Sequence, residues 1–381
     1  MTINLPTNII FTSDTCIEIS KKLDELNCCS ACIVTGMNST RKTGLLDLIQ
    51  TELAKKNISH ITHSISAEPE SNSVDVLSEK ILASNSTAVI ALGGGSVIDA
   101  SKSAALQSIN KLKFSNIEFG TTNLNNALPI IAVPTVSGSG SEITPYSVIN
   151  NSQTGRKSTI YHKSLFPCTT IIDQNIFVTV SRKQTLAGAL DILVHCLEAY
   201  TSAQSQILIN AFAIQGASLV FSNLQTVLDN PQDIEARRAL AEASLYGGAS
   251  IAHVRTGAMH TLSVALQKYS KLPHGMLNAT LLPAVLSFNI DHYRGKLANF
   301  ISACGFAATK DQEAADILTK LLSNYISFEE SPFSVPEEAI LSVVDRVKQD
   351  QGLLQVNARP LSDTIINELV TSIAKDEQYH A

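Results

Sequence analysis

Asp191 and His195 are four positions apart in a stretch of helical pattern, so helical geometry puts both side chains on one face, one turn apart. Two ligand-type side chains on one helix are a common beginning for a metal site. Their neighbours Leu190, Ile192, Leu193 and Val194 are apolar, and an unpartnered carboxylate among them is costly unless it meets a cation. Taken alone, the pair reads more simply as an Asp–His ion pair. His260 and His274 follow, fourteen positions apart, in short segments with no evident core role. One carboxylate with three imidazoles suits Fe(II), Zn(II) or a similar divalent ion and leaves a coordination position for a substrate oxygen. A single His is more often structural than ligating, so an independent reason is needed to group the four.

Two loops have phosphate-binding character. An apolar run at 88–92 passes through Gly93, Gly94, Gly95 and Ser96 into a helical pattern that carries Asp99. Glycines admit backbone amides close to an anion, and the helix N-terminus supplies free N–H groups and the positive end of the dipole. The loop matches neither the G-x-G-x-x-G spacing nor the Gly-Lys-Ser/Thr ending of a P-loop, and a glycine turn needs no ligand. After a second apolar run at 129–133 comes a loop dense in hydroxyls and glycines, with Thr135, Ser139, Ser141 and Thr144. It is as readable as a solvated surface turn as it is a cofactor wall.

These residues need elements to hold them. Apolar runs at 31–35, 88–92, 129–133 and 169–172 alternate with helical patterns at 44–56 and 74–83, the signature of parallel strands with helical crossovers. From 181 onward strand signals fade, and helical stretches follow at 185–202, 234–251, 277–288, 311–325 and 337–350. The expectation is an α/β N-terminal dinucleotide-binding domain with a mainly parallel sheet, residues 1–180. An all-α C-terminal metal and substrate domain, residues 181–381, follows it, with a ligand cleft between the two.

Composition agrees with a globular pair of domains: 381 residues, 44% hydrophobic and 16% charged. The 34 acidic and 28 basic side chains give a net charge of −6 without long runs, which argues against a nucleic-acid or anionic-lipid footprint. No unbroken apolar run of about 18 residues and no N-terminal signal pattern is seen, so a soluble cytoplasmic protein is expected. The seven scattered cysteines, Cys28, Cys29 and Cys32 included, read as reduced packing thiols.

Five ordered motifs carry a resemblance that spans nearly the whole chain: GGGSVIDASK (93–102), PTVSGSGSEITPYSVI (134–149), LFPCTTIIDQ (165–174), GALDILVHCLEAYTS (188–202) and LPHGMLNATLLP (272–283). The sequence resembles the iron-containing, or group III, alcohol dehydrogenases, whose fold is shared with dehydroquinate synthase. The resemblance implies metal ligation by Asp191, His195, His260 and His274, for Fe(II) or sometimes Zn(II). It implies pyrophosphate and nicotinamide binding by Gly94, Gly95, Ser96 and Asp99, with Thr135, Ser139, Ser141 and Thr144 as further cofactor contacts. It also implies hydride transfer to or from a small alcohol or aldehyde, no catalytic residue beyond the metal, and a homo-oligomer, by resemblance a dimer.

Two departures bear on that carry-over. NAD-preferring relatives commonly carry an Asp after the strand at 31–35; this chain has Gly36, followed by Ser39, Arg41 and Lys42. Basic residues there suit a 2′-phosphate, so NADP(H) is expected over NAD(H). Many members have a further His four residues after the third ligand; this chain has Val264, which carries no proton, so water, the cofactor ribose or a hydroxyl must serve. Family members that reduce phosphonate aldehydes look similar around Arg255, whose fork geometry suits an anionic substrate tail, although a structural salt bridge accounts for it as well. The readings from other classes are a dehydroquinate synthase-like lyase, which would need a denser basic cluster, and a non-catalytic nucleotide-binding homologue.

Overall fold

Four short apolar runs form the centre of a parallel sheet in the computed structural model, which describes residues 3–37, 43–117, 121, 123–326 and 335–375. The strands are β1 (Asn8–Thr12), β2 (Ser30–Gly36), β3 (Ser59–Ile65), β4 (Ala88–Gly93), β5 (Ile130–Pro134), β6 (Tyr146–Asn151), β7 (Arg156–Tyr161) and β8 (Thr169–Asp173). Six of them make one sheet in the order β1-β8-β5-β4-β2-β3, every neighbouring pair parallel. Helices α1 (Thr15–Glu25), α2 (Leu45–Lys55), α3 (Ser71–Ala83) and α4 (Gly95–Asn110) supply crossovers, and a single turn, α5 (Gln174–Phe177), follows β8.

Side chains alternate across the central strands, and both faces are buried. Ala31, Ile33, Ala88, Ile90, Leu92, Ile131 and Val133 share a core with Ile19 and Leu23 of α1 and Ile49 and Leu53 of α2. Cys32, Val34, Val89, Ala91 and Ala132 share the opposite core with Val74, Leu77 and Ile81 of α3 and Ile98 of α4.

β1, β3 and the antiparallel hairpin β6–β7 were not expected from the sequence. β1 and β3 are sheet edges, so each is only half-covered: Ile9 and Phe11 are exposed, and β3 reads Ser-His-Ile-Thr-His-Ser-Ile, with polar side chains that mask its period.

The second half is helical: α6 (Arg182–Thr201), α7 (Ile207–Asp229), α8 (Ile234–Val254), α9 (Ala258–Leu266), α10 (His274–Asn289), α11 (Lys296–Ala303), α12 (Asp311–Ser323), α13 (Ile340–Lys348), α14 (Gln351–Val356) and α15 (Asp363–Lys375). The chain forms two units, Met1–Val180 with Pro231–Ala241, and Ser181–Asn230 with Glu242–Ala381. The short return 231–241 leaves no mark in the sequence, because the boundary at 241 falls inside the unbroken helix α8.

Within the second unit α6 is the central helix: every residue from 189 to 199 is buried, on all sides. Glycines let its neighbours approach. A Cβ on Gly216 of α7 would lie 2.7 Å from Cys196 Sγ, and one on Gly275 of α10 would lie 2.0 Å from the Ala187 carbonyl oxygen. By length and composition α7 is apolar enough to cross a membrane, with a mean hydropathy of 1.5. Polar residues such as Asn210 and Gln215 interrupt its apolar run, and it packs along α6.

Candidate metal centre

Ser181 caps α6 by accepting from the Gln184 amide, and three polar side chains then fall on one helical face at Asp191, His195 and Glu198. All three are buried. Removed from water, each needs a partner, and the helices on either side provide them.

α9 brings His260, its third residue, onto α6. The His260 ring stacks on His195 with centroids 4.5 Å apart and planes 13° apart. Its Nδ1 donates to Glu198 Oε2 at 2.6 Å, which leaves Nε2 facing Asp191 Oδ1 at 3.4 Å. Glu198 also accepts from the backbone amides of Gly257 at 2.8 Å and Met259 at 2.7 Å, two of the unsatisfied donors at the start of α9.

α10 begins at His274 because Pro273, with φ −56°, sets the entry and the helix starts on the next residue. Gly275 then lets this helix end reach α6: besides the Ala187 carbonyl, its Cβ would be 2.8 Å from Asp191 Cβ. The His274 ring lies edge-on to His260, centroids 5.4 Å apart and planes at 64°. One turn further along α10, the Asn278 amide nitrogen donates to Asp191 Oδ1 at 2.8 Å and stands 3.4 Å from His274 Nε2. A donor at Nε2 makes Nδ1 the protonated nitrogen, and Ser263 Oγ lies 2.9 Å from it.

Asp191, His195 and His260 each offer a ligand atom, all within 4.8 Å of one another, and all three residues are buried. His274, half-buried, stands beside this triad. Burial alone would push the Asp191 carboxyl up, but the three surrounding imidazoles hold it well below the usual carboxylate range. For His260 burial works downward and is overcome by Glu198 and Asp191, which raise the imidazole to about 9.

The donor set fits a divalent cation. His260 Nε2 is buried and makes no hydrogen bond among the described residues, while a carboxylate oxygen lies 3.4 Å in front of it. With Nδ1 committed to Glu198, a neutral imidazole would aim its Nε2 lone pair at an anion in a dry site, so the position between the two calls for positive charge, which a proton or a metal cation supplies. A carboxylate accepting from the far nitrogen, as Glu198 does, is the usual companion of a metal-bound imidazole.

Of the predicted cofactor residues, Gly36, Gly94, Gly95, Ser96 and Thr135 lie at or just past the carboxyl ends of adjacent strands, where ligands bind in open α/β sheets. Gly36 ends β2, Gly93 ends β4 beside it, and Thr135 follows β5, its amide donating to the Gly93 carbonyl at 3.1 Å. The chain moves outward from β2 to β3 and returns to β4 on the other side of β2, so this is a switch point of the strand order. Gly94, Gly95 and Ser96 are half-buried at the start of α4, and a Cβ on Gly95 would be 2.5 Å from Ser139 Oγ. Ser139 is exposed and Thr135 buried.

Asp99, Ser141 and Thr144 are engaged with the protein itself. Asp99 accepts from Ser141 Oγ and from the Val148 amide, the latter at 3.0 Å. The fully buried Lys102 donates to Ser141 Oγ at 3.1 Å, to Thr144 Oγ1 at 3.3 Å and to the Thr144 and Tyr146 carbonyls at 2.8 and 2.9 Å. The three side chains tie the hydroxyl loop to α4. Ser39 and Arg41 lie outside the described residues. Arg255, at φ +65° just past α8, sets its guanidinium against Gly352, where a Cβ would be 2.3 Å from Cζ. Val264 lies one turn after His260 on α9.

Sequence models of two halves of one family match this chain, the iron-containing alcohol dehydrogenase model over residues 6–174 and the C-terminal model of the same family over 185–374. The chain belongs to the iron-containing alcohol dehydrogenases. It is 30% identical to the 1-propanol dehydrogenase of Salmonella typhimurium over 72% of this chain and 71% of that protein. It is 28% identical to the NAD-dependent methanol dehydrogenase of Bacillus methanolicus over 72% of each. Among solved structures, the sulfoacetaldehyde reductase of Bifidobacterium kashiwanohense in complex with NAD+ is similar, with a TM-score of 0.85, 25% identity and coverage of 98% of this chain and 99% of that one. The parallel-sheet domain followed by a helical domain is the architecture of such structures.

Glu198 and Asn278 were not among the residues expected from the sequence. Each sits one turn from a ligand candidate, Glu198 three residues after His195 and Asn278 four after His274. A polar side chain at i+3 or i+4 from a ligand candidate on an otherwise apolar helix was the available signal.

Proposed function

We propose that the protein is a metal-dependent, NAD(P)(H)-linked alcohol dehydrogenase or aldehyde reductase that moves hydride between nicotinamide C4 and the oxygen-bearing carbon of a small alcohol or aldehyde. The observation that carries this is the buried grouping of Asp191, His195 and His260, with His274 beside it, in a chain of this family. A divalent ion held there, Fe(II) first and Zn(II) second, supplies positive charge that stabilises negative charge on the substrate oxygen. Asp191 contributes the anionic ligand, and the three imidazoles act as neutral ones. No side chain is assigned as nucleophile. With Val264 one turn beyond His260, the proton is exchanged through water, the cofactor ribose or a hydroxyl.

In this account the amides of Gly94, Gly95 and Ser96 at the start of α4 take the pyrophosphate, with Thr135 and Ser139 beside them. Asp99, Ser141 and Thr144 keep that wall in place. NADP(H) is the preferred dinucleotide, supported by Gly36 in place of an acid and by Arg41 and Lys42 close behind it. The acidic net charge supports small molecules as partners over nucleic acid, and the same reading takes the protein as a cytoplasmic homo-oligomer.

Net oxidation of NADPH at 340 nm with a panel of small aldehydes tests the assignment. Consumption with one or more supports the dehydrogenase; none, with Fe(II) or Zn(II) supplied, favours a lyase or a non-catalytic homologue. Arg255→Ala sorts the substrate class: a loss confined to anionic aldehydes assigns the guanidinium to the substrate tail, and an equal effect on neutral and anionic aldehydes assigns it to packing on Gly352.

A further inference from the structure

We propose that Glu198 is a positioning residue of the metal centre, which fixes the tautomer and orientation of His260 and at the same time caps the helix that presents it. The inference rests on His260 being a metal ligand. A single buried carboxylate accepts three hydrogen bonds at 2.6 to 2.8 Å, one from the imidazole and two from the first turn of α9. α9 otherwise lacks a cap, since Gly257 has no side chain to offer its own amides. The two tasks are linked by chain geometry: the amides of Gly257 and Met259 bracket the turn that leads to His260, so the group that sets the start of the helix also sets where the ring stands.

Chemistry makes a carboxylate suited to both tasks. As an acceptor only, it takes the Nδ1 proton and forces the Nε2 lone pair toward Asp191. Its negative charge lies at the positive end of the α9 dipole. Gly257 leaves room for it: a Cβ there would be 3.0 Å from Glu198 Oε1 and 3.2 Å from Cδ, so a larger residue would push the carboxylate off the amides. A glutamine in its place keeps the shape but offers one acceptor and an NH2 group. Turned toward Nδ1, that NH2 group makes Nδ1 the acceptor, moves the proton to Nε2 and blocks the position a metal ion needs.

The experiment uses full-length protein, chelated and reloaded with Zn(II), in the parent and in Glu198→Gln. Zn(II) affinity is read by chelator competition, NADPH affinity by fluorescence, and the tautomer of His260 by 15N NMR of the Zn(II)-loaded protein. Glu198→Gln is expected to hold Zn(II) about 10- to 100-fold more weakly with NADPH affinity unchanged. The parent is expected to show His260 protonated at Nδ1. Equal Zn(II) affinity in parent and variant overturns the role of Glu198 and leaves the metal centre standing, whereas a Zn(II)-loaded parent with His260 protonated at Nε2 removes His260 from the ligand set and overturns both. A parent that takes up no Zn(II) overturns the metal centre and this inference with it. If Glu198→Gln does not fold, Glu198→Asp, which keeps the charge and shortens the reach to Nδ1, is read in the same way, and unchanged Zn(II) affinity overturns the role of Glu198.

Discussion

At the scale of single residues, the charge state of His260 links the centre to stability. In the metal-free protein its pKa is raised from 6.5 to about 9 by Glu198 and Asp191 against the effect of burial. Below about 6.5 both folded and unfolded chains hold the proton, and the stabilisation is fully present. Between 6.5 and about 9 only the folded chain holds it, so rising pH favours unfolding and the contribution is lost as pH passes the folded value. Thermal unfolding of chelated protein is therefore expected to show a falling melting temperature across that window, with the slope reduced by Zn(II), which takes the place of the Nε2 proton. A metal-free protein whose melting temperature rises through the same window would contradict the assignment. In the sequence Asp191 and His195 stand out as polar side chains in apolar surroundings, and the family resemblance is what groups them with His260 and His274. Glu198 and Asn278 do not stand out, since an acid or amide on a helix usually faces water, and only the buried all-round environment of α6 makes theirs exceptional.

At the scale of elements, the site is made by how closely α9 and α10 approach α6. Gly275 is the narrowest point of that approach, its added Cβ falling 2.0 Å from a backbone oxygen that has no room to yield. Gly275→Ala is expected to destabilise the protein by about 1–3 kcal/mol or more by overpacking, and to weaken metal binding by displacing His274, measured by chemical denaturation and by metal content after dialysis. An alanine variant with full stability and full metal content would show that α10 has another way to seat. The central strands and seven of the helices could be read from sequence because their cores are continuous and periodic. β3 could not, since its histidines, serines and threonine sit on a half-covered edge, and the hairpin β6–β7 lacks an apolar period of its own. Gly275 has no local signature in the sequence; its reason is a contact between segments 88 residues apart, which no local pattern carries.

At the scale of the whole molecule, the proposed reading gives the dinucleotide to the parallel-sheet domain and the metal to the helical domain. In the first, Gly36 ends β2 where an acid would hold the ribose, and with Arg41 and Lys42 behind it kcat/KM is expected to favour NADPH over NADH. Equal values would remove the preference without touching the rest of the account. In the second, everything depends on Asp191, His195, His260 and His274 acting as one site. The most direct measurement is metal content together with aldehyde-dependent NADPH oxidation, in the parent and in His274→Ala, after reconstitution with Fe(II) or Zn(II). The account predicts one ion per parent chain, activity that is lost on chelation and restored by the ion, and a variant that has lost both. A parent that turns over undiminished after exhaustive chelation, or a His274→Ala variant that keeps its ion and its activity, would contradict it.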